Sequence, residues 1–282
     1  MFAITGATGQ LGRKVVASLL QHVDAAKIVA IARDPAKASN LGVGARAGDY
    51  RDKDSLTRAF EGVDKLLLIS SSSLDARRLE HANVIEAARH ARVKQVFYTS
   101  CLHAEAWGLP FAEDHLLTEQ WLKDSGCVYT ILRNGWYWEN NTPRLPAAVQ
   151  YGALIGSAGG AEVSWASRQD FADAAVAVMN GAGHEGKTYE LAGDAAYTFR
   201  DLAAEASRQS GRQVSYTDLS EAEFAATLER VGLSRPLALM VAEIEACGVS
   251  KGVLKDKSRV LSRLIGRPTQ TIADAVAEAL EA

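Results

Sequence analysis

The sequence predicts an α/β protein: a Rossmann-like, doubly wound parallel sheet with a smaller α/β substrate lobe. Three features carry that expectation. A glycine-rich turn separates an apolar run from a helical pattern at the start of the chain, apolar runs without polar alternation recur through its first two-thirds, and helical patterns fall between them. Strands that are apolar throughout suit a sheet covered on both faces, and their alternation with helices builds one.

Residues 2–5 read as the first strand. Residues 14–21 come next as a helix, because Val15, Val16, Leu19 and Leu20 recur at helical spacing. The run 28–32 is a second strand, closed by Asp34 as a helix cap and Pro35 in the first turn of the next helix. Residues 43–47 are a weak strand, 55–60 a short helix, and 65–69 a strong central strand that ends in the serines of 70–73. A helix over 77–90, a strand over 96–99, a helix over 113–124 and a strand over 128–132 complete the alternation.

Between residues 133 and 160 the composition turns to Trp, Tyr, Asn, Pro and Gly, which marks a rim and a crossing between lobes. Residues 169–179 read as a helix and 187–191 as a strand returning to the main lobe. Thr198 with Asp201 three residues on caps a further helix, with Asp standing where a full capping box has Glu or Gln. The expected boundaries are a nucleotide-binding core of residues 1–135 with elements returning from 167–192. A smaller substrate lobe takes residues 136–166 and 193–282, including 211–216 and a helix around Phe224 and Leu228.

Composition narrows the function. The chain has 282 residues, with 31 Lys and Arg against 34 Asp and Glu for a net charge of −3, which is no footprint for a long polyanion, so nucleic acid is not an expected partner. Cys101, Cys127 and Cys247 lack the close pairing of a redox disulfide or a zinc knuckle. No metal is expected, and a reducing compartment is. The N-terminus enters a strand without the pattern of a secretory signal, and no apolar stretch approaches the roughly 20 residues that cross a bilayer. Cytoplasm is the expected address, with a monomer or homodimer as the working particle.

The chemistry begins at Gly6, Thr8, Gly9, Gln10, Leu11 and Gly12, which place the spacing GxxGxxG between strand and helix. Gly6 permits the tight exit from the strand, Gly9 lets a pyrophosphate approach the backbone, and Gly12 lets helix and strand pack closely. The helix N-terminus then offers free N–H groups to phosphate. Arg33 stands at the end of the second strand, where an NAD-selective site presents a carboxylate to the ribose. A guanidinium there forks onto a 2′-phosphate, so NADPH is the expected cofactor. Asp49 and Tyr50 come after the third strand and either border the adenine or pack on the sheet edge. Ser70, Ser71 and Ser72 come after the fourth strand at the sheet's carboxyl edge, where backbone groups can meet ribose and phosphate, and Arg77 either reaches a phosphate or begins a helix.

The stretches ITGATGQLG (residues 4–12), AIARDPAKA (30–38), GDY (48–50), LLLISSS (66–72), YTILRNGWYWEN (129–140) and GHEGKTYELAGD (183–194) extend over most of the chain. In them the chain resembles the NmrA-like atypical short-chain dehydrogenases, and among these the bacterial type 2 NAD(P)H:quinone oxidoreductases; the triphenylmethane reductases share a similar pattern. The resemblance implies two-electron hydride transfer from NADPH directly to a quinone, without flavin. Reduction of a triarylmethane dye and non-catalytic NADPH sensing are its alternatives.

The YxxxK pair of carbonyl-reducing short-chain dehydrogenases is missing, since Phe111 and His115 occupy those positions. Phe111 cannot donate a proton. A quinone tolerates the loss better than a ketone, because the hydroquinone anion delocalises its charge and solvent can supply the proton afterwards. Holding two rings face to face then carries more of the catalysis. Candidates near the nicotinamide are Thr99, His103, His115, Asn134, Trp136 and Tyr137. His115 hydrogen-bonds a ribose hydroxyl, or when protonated favours charge on a quinone oxygen, or is a plain helix-surface residue. Of Trp136, Tyr137 and Trp138, one is expected in an aromatic wall and two in packing.

Overall fold

In the computed structural model, which describes residues 1–73 and 75–281, seven parallel strands form one sheet. Ala282, the last residue of the expected smaller lobe, lies outside the described residues. The strands are β1 (Phe2–Ile4), β2 (Ile28–Ala32), β3 (Gly44–Ala47), β4 (Lys65–Leu68), β5 (Gln95–Cys101), β6 (Val128–Asn134) and, after β7 (Ala153–Gly156) of the smaller lobe, β8 (Lys187–Leu191). Their order is β3-β2-β1-β4-β5-β6-β8. The strand order therefore reverses between β1 and β4, and the crevice at their carboxyl ends is where such sheets bind ligands.

Helices cover both faces, as the apolar strands require. On one side α1 (Gln10–Leu19) and α6 (Arg168–Asn180) bury Val15, Val16, Phe171 and Met179 against Ile4, Leu67 and Leu132. On the other, α2 (Lys53–Ala59), α3 (Arg77–His90) and α4 (Pro110–Asp124) bury Leu56, Val84 and Leu122 against Val29, Leu66 and Tyr98.

The smaller lobe pairs β7 in parallel with β9 (Ser215–Asp218). Around that pair lie α5 (Leu145–Tyr151), α7 (Phe199–Ser210), α8 (Glu221–Arg230), α9 (Arg235–Glu243) and α11 (Ile272–Glu281). Near the chain's end α10 (Val260–Ile265) instead sends Leu261 into the core under α6. A cluster holding Leu102 and Trp107 of the sheet side together with Leu145, Phe199 and Ile244 of the lobe joins the two parts. No helix among the described residues is long and apolar enough to cross a membrane.

Several local expectations change. Asp34 does cap, its carboxylate accepting from the Ala36 N–H, but the segment it caps is a 3-10 helix over Pro35–Leu41, which ends at Gly42 with φ of 72°. The Thr198–Asp201 cap is a complete reciprocal box, because the shorter Asp carboxylate still accepts the Thr198 N–H at 2.7 Å. Strands β5 and β6 run on to Cys101 and Asn134, since Thr99, Ser100 and Cys101 pair with Leu132, Arg133 and Asn134. That extension carries polar side chains to the carboxyl edge of the sheet, where the site forms.

Candidate active site

The glycine turn leaves β1 through Gly6, at φ of 59°, a conformation that favours glycine. The Gly9 N–H closes the turn on Gly6 O at 2.9 Å, and Gly9 is the N-cap of α1. No side chain caps that end and no acidic residue stands in the first turn, so its first-turn N–H groups are open to an anion. Half-buried Thr8 and exposed Gln10 flank Gly9, and buried Leu11 turns inward. A Cβ on Gly12 would lie 2.3 Å from Gly6 O and 2.7 Å from Ala7 Cα. Both neighbours are backbone and cannot rotate away, so Gly12→Ala is expected to cost on the order of 1–3 kcal/mol, read as a lower urea midpoint at unchanged slope.

Arg33 emerges at the end of β2, exposed, with no hydrogen-bond or ion-pair partner among the described residues. Arg13, a residue that the glycine spacing does not single out, braces the region between the turn and Arg33. Its Nε donates to Thr8 O at 3.0 Å, Nη1 to Asn40 Oδ1 at 3.0 Å and Nη2 to Lys37 O at 3.3 Å. An open cradle of N–H groups beside an uncommitted guanidinium fits the pyrophosphate and 2′-phosphate of a dinucleotide.

Other residues singled out from the sequence have local duties. Asp49 accepts from the Arg51 N–H at 3.0 Å in a tight turn. The Tyr50 hydroxyl lies beneath the glycine turn, 2.5 Å from Thr5 Oγ1 and 2.8 Å from Ile69 O, and burial pushes its pKa up. The Ser70 N–H donates to Thr99 Oγ1 at 2.9 Å, the Ser71 hydroxyl to Glu80, and Ser72 is exposed. Arg77 turns inward, its Nε donating to Ser71 O at 3.0 Å, so it props the serine loop.

Past Leu11 a cavity of about 250 Å³ opens over the carboxyl ends of β4, β5 and β6. It brings together Leu11, Ser70, Thr99, His115, Asn134 and Tyr137, all singled out from the sequence. Phe111, Trp107 and Trp136 supply aromatic walls, with the Phe111 ring edge-on to Trp107 at 4.8 Å. Among the described residues, no Asp, Glu, Lys or Arg lines it. Trp136 and Tyr137 both reach the wall, while Trp138 is buried and stacks on Trp165 at 4.9 Å. One expected wall residue is thus two.

His115 is buried, with Nδ1 2.7 Å from the Tyr98 hydroxyl. Burial first, then Arg77 and His81, holds its pKa well below the usual 6.5, so the ring is neutral. Burial overturns the plain helix-surface reading, and the lowered pKa favours a neutral imidazole on the cavity wall. Asn134 Nδ2 donates to the Tyr137 hydroxyl at 3.2 Å, and its Oδ1 is buried without a partner. The Cys101 thiol, also in the wall, is pushed up to about 12, mainly by burial, and is no nucleophile at neutral pH.

His103 is not brought to this cavity. It sits in the left-handed region at φ of 48°, its Nδ1 2.9 Å from Val253 O and its Nε2 3.4 Å from Asp256. The imidazole ties the loop after β5 to the segment ahead of α10. Among the described residues no three His, Cys, Asp or Glu side chains gather as metal ligands would.

Two buried groups carry no signal in the sequence. His81 accepts the Ser71 N–H on Nε2 at 2.9 Å, meets Thr118 Oγ1 through Nδ1 at 2.9 Å, and is pushed down to about 3 by burial and then Arg77. Arg133 binds Glu105, Glu119 and Glu190 at the ends of β6 and β8.

Residues 6–181 match the family of proteins described as NAD(P)H-binding. The chain is 54% identical over 279 residues to quinone oxidoreductase 2 of Escherichia coli K12, covering 98% of this chain and 97% of that one. The crystal structure of the NADPH-dependent quinone oxidoreductase of Escherichia coli in complex with NADPH superposes with a TM-score of 0.95 at 54% identity, over 99% of each chain. The triphenylmethane reductase of Citrobacter sp. complexed with NADP(H) superposes with a TM-score of 0.96 at 39% identity, over 99% of this chain and all of that one.

Proposed function

The chain belongs to the NAD(P)H-binding family, and from that premise we propose that it is an NADPH-dependent quinone oxidoreductase of the NmrA-like, type 2 kind. The observation that carries the reading is the uncharged, aromatic-walled cavity opening directly past the glycine turn. NADPH, when bound, supplies a hydride, with no flavin between it and the acceptor.

Gly6, Gly9 and Gly12 shape the turn for the pyrophosphate, and Arg33 takes the 2′-phosphate. Ser70, directly after β4, and Thr99, on β5, line the cavity. Trp107, Phe111 and Trp136 exclude water and hold a planar acceptor by its faces, which is where fixed geometry contributes most. The unpartnered Asn134 carbonyl offers an acceptor for an N–H or O–H inside the cavity. His115 offers a neutral imidazole to a quinone oxygen as charge develops there. The free thiols of Cys101, Cys127 and Cys247 support the cytoplasm as its compartment.

The same uncharged wall suits a cationic triarylmethane dye, which is the second reading. Anaerobic assay of quinones, triarylmethane dyes and simple ketones with NADPH separates them. Quinones are expected to turn over and ketones to be inert, since Phe111 supplies no proton; dye reduction with inert quinones would reverse the assignment.

A neutral His115 also fixes a pH dependence. Its folded pKa lies well below the ordinary 6.5, so the folded ring takes up no proton near neutrality, whereas the unfolded chain does below that value. Its contribution therefore lowers stability as pH falls below about 6.5, while the single-turnover rate is expected to stay flat through neutral pH. A rate that rises as pH falls, along a curve centred near 6.5, would mean that the protonated ring is the active one.

A further inference from the structure

We propose that Tyr98 is a positioning residue that fixes the tautomer of His115, so that the imidazole presents Nε2–H to the cavity as a preset hydrogen-bond donor for an acceptor's oxygen. The proposal rests on the reading of the cavity as the acceptor site. Tyr98 stands on β5 and is fully buried, and a buried phenol proton needs an acceptor. That hydroxyl meets His115 Nδ1 at 2.7 Å, and the hydroxyls of Thr118 and Ser70 stand beside it as well.

The hydroxyl of the neighbouring Thr118 already has two partners. It donates to Asp114 O at 2.7 Å and accepts from His81 Nδ1 at 2.9 Å, because the Ser71 N–H on Nε2 leaves the His81 proton on Nδ1. With the phenol donating, His115 Nδ1 is the bare nitrogen and the neutral ring carries its proton on Nε2. The opposite arrangement, Nδ1–H donating to the phenol oxygen, would send the buried phenol proton to the Thr118 or Ser70 hydroxyl beside it, weaker acceptors than the bare imidazole nitrogen at 2.7 Å. His115 lines the cavity, and its Nε2 has no partner among the described residues.

The consequence is chemical. As a hydride adds to a quinone, an electron pair moves onto a carbonyl oxygen, and a donor already aimed there stabilises that charge without reorganising. His115 keeps its proton throughout, and water supplies the one that completes the quinol. Arg77 and neutral His81, the groups that face this pair, disfavour a second proton on the ring.

Long-range proton–nitrogen correlation spectra of the full chain carrying ¹⁵N-labelled histidine test this directly, with His115→Gln identifying the signal. The expected result is a pyrrole-type Nε2 and a pyridine-type Nδ1 for His115 across neutral pH, and loss of that single tautomer in Tyr98→Phe. Quinone reduction by Tyr98→Phe is expected to fall on the order of tenfold in kcat, with little change in KM for NADPH. In the His115→Gln background, whose amide N–H needs no tautomer, Tyr98→Phe is expected to add little. An Nδ1–H tautomer in the wild type, an unchanged spectrum in Tyr98→Phe, or an equal loss of rate in both backgrounds would overturn the proposal. The spectrum is recorded without substrate, so a failure of the quinone assignment leaves this test standing.

Discussion

Arg133→Met is expected to lower the unfolding free energy by about 3–5 kcal/mol. All five guanidinium N–H groups are engaged: Nε and Nη2 fork onto Glu119 at 2.8 and 2.7 Å, Nη2 and Nη1 onto Glu105 at 2.7 and 2.8 Å, and Nη1 reaches Glu190 at 2.8 Å. Glu119 is 1% exposed. Removing its partner strands a carboxylate that keeps the Ser100 hydroxyl at 2.6 Å and Lys123 at 3.9 Å, and a buried charge left without its main partner costs more than the pair contributed. Adding Glu119→Leu to Arg133→Met is expected to recover much of the loss in urea unfolding. A single mutant with the wild-type midpoint would show that the cluster does not hold the ends of β5, β6 and β8, from which the cavity wall rises.

Arg33→Ala is expected to weaken NADPH by about 1.5–3 kcal/mol, the range for a charged hydrogen bond, and to leave NADH little changed. The guanidinium has no partner among the described residues to lose, so the substitution removes a ligand contact without breaking an internal one. Titration of each nucleotide into both proteins measures the difference. Equal weakening of the two cofactors would take the 2′-phosphate away from Arg33.

The proposed nucleotide half of the site was legible because its chemistry is local. Gly6, Gly9 and Gly12 lie within one turn, and Arg33 comes directly after β2, whose apolar run fixes its own ends. The acceptor half was legible only in part. His115 and Asn134 stood out as polar residues near a strand's end or on the helix beside it, yet the partners of the buried groups come from other elements of the fold, as with Tyr98 on β5 for His115 on α4 and the trio of Glu105, Glu119 and Glu190 for Arg133. His103 misled for the same reason. It stands after β5 as a ligand-binding residue would, but Val253, 150 positions away, claims its ring.

In the smaller lobe the signals were weak in themselves. β7 and β9 have four residues each, β7 ends in glycine, and the π-helical turn Ile244–Gly248 has no sequence period. Gly248 is explained only by its neighbour: a Cβ there would lie 2.5 Å from the Trp107 ring that forms the cavity wall.

Anaerobic single-turnover mixing of the purified protein, without added flavin, with NADPH deuterated at either face of C4 and a quinone tests the central claim most directly. The expected result is one quinol formed per NADPH oxidised, with a primary isotope effect for deuterium on one face and none for the other. NADPH oxidation that ignores the quinone, an absolute requirement for added flavin, or no isotope effect from either face when hydride transfer limits the rate would contradict direct transfer in this cavity.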